Sequence, residues 1–294
     1  MANAVTNITS QFTAPYLTVA EFKNAPTSID LNALVIGGNT NSQDAELANV
    51  INRASSWIDQ QCNQILGATQ NTEQQRSRVK NDGTIRVHPK YFPVVELTAF
   101  SYGSALGSTT SVTDCSTAWI EEQEIIVPYS LLATSYSNQG PLQFGFPTTP
   151  GREVFCKYTY INGYANTTIV SAVAAASTLT VGNALGIVPN QMLSVYDGVN
   201  SENVTVAASY SPGSTTIPLA APLVSTHAAG TAISALPAAV KEAAILSTTA
   251  FLKVRGDASM TMQLTNTANR TSGSRLGNEL DIAVELLKPF RRIR

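Results

Sequence analysis

Apolar positions along this chain repeat in two different periods, and the longest helical repeat runs from Leu236 to Arg255, LPAAVKEAAILSTTAFLKVR. Val240, Ala243, Ala244, Ser247, Phe251 and Val254 follow steps of three and four, and Ile245, Leu246 and Leu252 widen the stripe. Only Lys241, Glu242, Thr248, Thr249 and Lys253 mark a wet edge. Pro237 stands where a first helical turn tolerates a missing N–H, and Gly256 where a left-handed cap is wanted. A helix this apolar has to be wrapped by other elements or by another chain. The expectation is that everything before it either packs on it or is inserted ahead of it.

Three other stretches read as helices. Near 18–25, Thr18 and Glu21 fit a capping box, Leu17 can staple onto Phe22, and Ala25-Pro26 stops the turn. Over 44–66, Leu47, Val50, Ile51, Ala54, Ile58, Cys62 and Ile65 share a face, with Asp44 and Glu46 in the first turn and Gly67 as cap. Over 279–287, Leu280, Ala283, Val284 and Leu287 form the apolar side, and Pro289 ends it. Residues 1–15 carry no charge and read as an extended arm, and 257–278 as a flexible polar loop.

From about 73 to 164 the period becomes two. QRSRVK, TIRVHP, VVELTAFSYG, WIEEQEIIVP and REVFCKYTYINGY read as antiparallel strands, the first two joined by Asn81-Asp82-Gly83. Residues 165–235 are different again. Short β-branched runs alternate with Gly, Pro and Asn turns, there is no Lys or Arg between Tyr158 and Val240, and Asp197 and Glu202 are the only acids. The predicted architecture is α+β. A small helical bundle (helices near 18–25, 44–66, 237–255 and 279–287) carries an antiparallel β region at 73–164. Residues 1–164 with 236–294 form its core, and 165–235 is an inserted all-β module.

Composition narrows the picture a little. Charged residues make up 13% of the 294, about half the average for soluble domains, which suits β-rich surfaces partly covered by partners. The net charge of −2 gives no global attraction to nucleic acid or membrane. Cys62, Cys115 and Cys156 are far apart and odd in number, and read as reduced and structural, consistent with a cytoplasm. No apolar run is long enough to span a bilayer, and MANAVTNITS lacks the features of a signal peptide.

No catalytic constellation assembles from the residues, so an enzyme is not expected, nor a cofactor or metal. His88 and His227 belong to no metal-spaced cluster, the Ile36-Gly37-Gly38-Asn39 stretch lacks a phosphate-loop lysine, and no nucleophile elbow is present. Glu121, Glu122 and Glu124 read as a solvated acidic strand. The one notable charged feature is the tail KPFRRIR, with Lys288, Arg291, Arg292 and Arg294 interleaved with Phe290 and Ile293. It reads as a solvated terminus, as a docking peptide whose two apolar side chains enter pockets, or as a weak nucleic-acid arm.

Taken in order, YLTVAEFKNAP, the helix over 44–66, LPAAVKEAAILSTTAFLKVRG and ELDIAVELLKPFRRIR resemble the head–tail connector (adaptor) family of tailed double-stranded DNA phages. The matching signatures are Pro237, Arg255-Gly256 and Leu286-Leu287-Lys288-Pro289-Phe290-Arg291, over roughly 16–66 and 236–294. The β region and the 165–235 insert are larger than a minimal adaptor has. The resemblance implies a ring, commonly of twelve copies, under the portal in the virion neck, assembled in the host cytoplasm. Its partners would be the portal protein, identical neighbouring subunits, a downstream neck or tail protein, and genomic double-stranded DNA passing non-specifically through the channel, with no membrane. It also implies that Lys288, Phe290, Arg291, Arg292, Ile293 and Arg294 reach into the portal, and that part of the 237–255 helix, with Val240, Ala244, Phe251 and Val254 as packing positions, faces the adjacent subunit. The alternative is a virion β-rich receptor- or glycan-binding protein, motivated by the low-charge insert.

Overall fold

The computed structural model describes residues 14–27, 29–32, 34–105, 108–112, 114–128, 151, 153–256 and 273–292, leaving aside the side chains at 104, 105, 108, 254–256 and 273–278. The expected helical bundle does not describe the molecule. The described residues are mostly β: three antiparallel sheets, one of them a curled half-barrel, with helices contributing only about 27% of them. The helical repeats were real, but four helices are a minority beside thirteen strands among the described residues.

Helix α1 (Val19–Asn24) opens on the expected capping box: Thr18 Oγ1 accepts from the Glu21 amide, and Glu21 Oε2 accepts from the Thr18 amide at 2.6 Å. Helix α2 (Thr40–Cys62) begins and ends about four residues earlier than its apolar face suggests. Asn39 caps its start by accepting from the Ser42 amide, and Asn63, at φ 54°, ends it in place of Gly67. Helix α3 (Ala238–Gly256) runs one residue past the expected stop. Helix α4 (Gly273–Leu287) starts six residues before its expected beginning, inside the stretch read as loop; residues 257–272 of that stretch, and residues 1–13 of the arm, lie outside the described residues.

Four helices and their flanks share one core: Tyr16, Leu17 and Phe22 meet Leu47, Val50, Ile51, Ile58 and Cys62 of α2, Val240, Ala243, Ala244 and Leu252 of α3, and Ala283 and Leu287 of α4. Helix α3 is therefore wrapped by its own chain. Of its residues 238–253, only Ala238 and Glu242 are exposed. Tyr16 ties the layers together: its hydroxyl donates to Asp59 on α2 and accepts from the amides of Leu66 (2.9 Å) and Gly67 (3.4 Å) on the way out of α2.

The first sheet has the order β1-β7-β3-β4, from Thr69–Arg78, Glu153–Asn162, Val94–Ala105 and Ser108–Val112. Strands β1 and β7 pair in full register from Thr69↔Asn162 to Arg78↔Glu153. A small sheet, β2-β6-β5 (Ile85–Val87, Glu124–Val127, Trp119–Glu121), closes over it. Val154, Cys156, Tyr158 and Tyr160 of β7 and Phe100 and Tyr102 of β3 meet Ile85, Val87, Ile125 and Val127 in one core. The Asn81-Asp82-Gly83 turn forms as expected, with Gly83 at φ 78° and the Lys80 amide donating to the Thr84 carbonyl at 2.9 Å. The expected continuous strand WIEEQEIIVP is instead a hairpin, β5 and β6 joined by Glu122 and Gln123, both at positive φ.

Residues 166–234 form the six-stranded sheet β11-β10-β13-β8-β9-β12 (Glu202–Thr205, Met192–Tyr196, Ala232–Ser234, Asn166–Ser171, Thr178–Val181, Thr216–Pro218). Ile169, Leu179, Val181, Leu193, Val195, Val206, Ile217 and Ile233 fill a core separate from the other two. Its first and last residues meet: the Ala235 amide donates to the Ala165 carbonyl at 2.8 Å.

Candidate functional site

The C-terminal segment is built on the end of α2. A helix leaves its last carbonyls without partners and carries partial negative charge there. Helix α4 stops at Leu287, Lys288–Phe290 make one 3-10 turn around Pro289, and the chain then lies across those carbonyls. Arg291 Nε donates to the Gln61 carbonyl and the Arg292 amide to the Cys62 carbonyl, both at 2.9 Å. Gln64 Nε2 donates to the Phe290 carbonyl at 3.0 Å, and Asn63 Nδ2 to that of Arg292 at 3.4 Å. The Phe290 ring stands edge-on to Tyr164, centroids 6.4 Å apart, and the Arg292 guanidinium lies 5.1 Å over the Tyr91 ring.

So Lys288, Phe290, Arg291 and Arg292 are gathered at one end of the helical layer, with Lys288 and Arg291 exposed and Phe290 and Arg292 half-buried. Lys288 pairs with Glu285 on the α4 surface at 2.6 Å. Ile293 and Arg294 lie outside the described residues. The positions expected to face a neighbouring copy are separated from this end. Val240 and Ala244 are buried within their own chain, and Phe251 meets Trp57 edge-on at 6.3 Å. The Val254 side chain is outside the described residues.

Two charged arrangements escaped the sequence reading. Lys241, expected at a wet edge, is buried: its ammonium lies 2.7 Å from Glu21 on α1 and 4.3 Å over the Tyr196 ring on β10. One side chain thus joins α1, α3 and the insert. In the insert, His227 is sealed from solvent between Asp197 (Nδ1 to Oδ2, 2.9 Å) and Glu202 (Nε2 to Oε1, 2.7 Å). Burial pushes the Glu202 carboxyl up, but donation from the Val224 and Ser225 amides and from His227 outweighs it and holds the group below its usual range. The available signal was that the insert's only two acids and only histidine are 25 and 30 positions apart, yet converge.

This clasp reads as a structural tie rather than a reactive centre: both ring nitrogens are spent on carboxylates, and the His227 side chain is sealed from solvent. Neither Cys62 nor Cys156 offers a thiolate, since burial pushes both thiols up to about 12. His88 is an exposed side chain 3.1 Å from Glu124. Glu122, read as part of an acidic strand, occupies the β5–β6 turn. Among the described residues no three His, Cys, Asp or Glu side chains cluster as metal ligands, and no helix is long and apolar enough to cross a membrane. No family model, curated protein or solved structure matches this chain.

Proposed function

We propose that this chain is a structural head–tail connector of a tailed phage, a ring-forming subunit that docks on the portal through its C-terminal segment and leaves a channel for DNA. The observation that supports this reading is a convergence. The stretches on which the adaptor resemblance rests, 16–66 and 236–292, are separated by some 170 positions, yet they pack on one shared core. The basic C-terminal segment closes that same unit at the end of α2, with Lys288 and Arg291 turned to solvent.

In this reading the partners are the portal protein, identical subunits and a downstream neck or tail protein, and the place of action is the neck of the virion. Exposed cations around a half-buried aromatic are the side-chain types that favour a docking contact. Repetition around a ring multiplies a modest contact per subunit.

The test uses the full chain and portal rings of the same virus, mixed and imaged by negative-stain microscopy with sedimentation in parallel. Rings of the wild-type chain stacked on portal, lost in a Lys288→Glu/Arg291→Glu variant that keeps its circular dichroism, would support the reading. Failure of the wild-type chain to bind portal, or undiminished stacking by the variant, would sink it.

A further inference from the structure

Strand β3 carries two bulges in quick succession. Its register against β7 slips between Val94 and Glu96 and again between Leu97 and Ala99, and β4 covers its other side only from Phe100 onward. Residues Val95–Thr98 therefore form an irregular strand edge that no strand among the described residues covers. Bulges of this kind re-aim side chains and terminate pairing, and they concentrate beside binding sites. Here the edge forms one wall of a cleft of about 490 Å³, within the range of small-molecule sites. The opposite wall is the 114–118 loop with Trp119, Ile120 and Ile125 of the β5–β6 hairpin.

Most polar groups in the cleft are already engaged. Asp114 accepts from the Ser116 amide at 2.8 Å, which, with the Ser116 hydroxyl, holds its carboxyl below the usual range. Thr98 Oγ1 donates to the Thr159 carbonyl and accepts from Gln70 Nε2. Two groups are not engaged. The Glu96 carboxylate is half-buried and receives no hydrogen bond from a described residue, and its burial raises it above the ordinary range. The Trp119 indole N–H has no partner among the described residues, and its side chain is 45% exposed. Trp57, the other tryptophan, is packed in the helical core.

A ligand that completes this cleft has to donate a hydrogen bond to Glu96, accept one from the indole, and lay a flat C–H surface on the ring. A guanidinium meets the first and third demands but has no acceptor for the indole N–H. An added β-strand is disfavoured by the two bulges, which break the ladder it would extend. A neutral pyranose meets all three, since each hydroxyl is both donor and acceptor and one ring face is apolar. We propose that the cleft between β3 and the β5–β6 hairpin binds a neutral hexopyranose unit, with Trp119 as its platform and Glu96 as its acceptor. This site lies outside the low-charge insert and does not depend on the connector reading.

The full chain would be titrated with methyl glucoside, methyl galactoside, N-acetylglucosamine and short oligomers of each, with arginine as a control, following the heat of binding by isothermal titration calorimetry, with tryptophan emission in parallel. Saturable change with at least one sugar, absent in Trp119→Ala and weakened tenfold or more in Glu96→Gln, is the expected result. Preference for the oligomers over the monosaccharides would assign the site to a polysaccharide chain, and equal affinity to the free sugar. Trp57 emission and circular dichroism report that both variants are folded, and Glu96→Gln keeps the shape of the wall should Trp119→Ala fail that check. No response to any sugar, saturation by arginine instead, or sugar binding that either folded variant leaves unchanged would overturn the proposal.

Discussion

Lys241 and Glu21 form an ion pair at 2.7 Å with side chains only 7% and 6% exposed. Burial lowers the Lys241 ammonium, and the Glu21 carboxylate opposes that shift. Removing one member leaves a buried charge unmatched, a loss of about 3–5 kcal/mol. Lys241→Met is therefore expected to lower the unfolding free energy by about that amount in urea titration, and Glu21→Gln/Lys241→Met to recover most of it. A single variant within about 0.5 kcal/mol of wild type would show the pair to be open to water.

Asp59 predicts a pH dependence. Burial raises its carboxyl from 3.8 to about 6, against the hydrogen bond from Tyr16. Between those values the folded chain keeps a proton that the unfolded chain has lost, so stability falls as pH rises through that window. The shift corresponds to about 3 kcal/mol at most. Asp59→Asn has nothing to titrate there, and its unfolding free energy should be flatter from pH 4 to 7 than that of wild type. Above pH 10 the sign repeats for Tyr16, Tyr158 and Tyr160, whose phenols are raised by burial and by carboxylates, so stability should drop again.

Gly163 and Gly213 separate two costs of adding a methyl group. Both have positive φ, 91° and 89°. A Cβ on Gly163 would stand 2.6 Å from the Gly67 carbonyl oxygen, whereas one on Gly213 meets nothing within 4 Å. Gly213→Ala should cost about 1–2 kcal/mol of backbone strain. Gly163→Ala adds a clash with backbone and should cost clearly more, or yield no folded protein. Thermal unfolding of the two variants side by side checks the order.

His227→Ala would leave Asp197 and Glu202 facing one another with no donor between them. The expected loss is about 3 kcal/mol, felt first in the insert, so limited proteolysis should cut near 197–202 and 223–230 before the helices are touched. Equal resistance in both proteins would remove the clasp from the account of the insert's stability.

Helix positions were legible because periodicity reports burial, and burial is what the core selects. Their ends were not. The run Asn39-Thr40-Asn41-Ser42 offers several residues able to cap, and the structure uses Asn39. The β5–β6 turn was hidden because Glu122 and Gln123 take left-handed backbone without the Asp-Gly signal that exposed the 81–83 turn. The covering of α3 was not legible for another reason. Composition shows that a helix must be enclosed, but not whether α2 and α4 of the same chain supply the enclosure. Of the tail, the residue types were readable and their seat on the α2 carbonyls was not, since it depends on two segments about 230 positions apart.

The contact between Ala165 and Ala235 has a mechanical meaning. Tension travelling along the polypeptide from residue 164 to 236 meets the antiparallel pair β8–β13 at its open end, first at Ala235 N–Ala165 O and then at Asn166↔Ser234, Thr167↔Ile233 and Thr168↔Ala232. Bonds arranged that way peel one after another instead of sharing the load. Under a pull through the backbone the insert would play out as slack, as a zip opens from its end, and strand β7 before it and helix α3 after it would feel the force only afterwards.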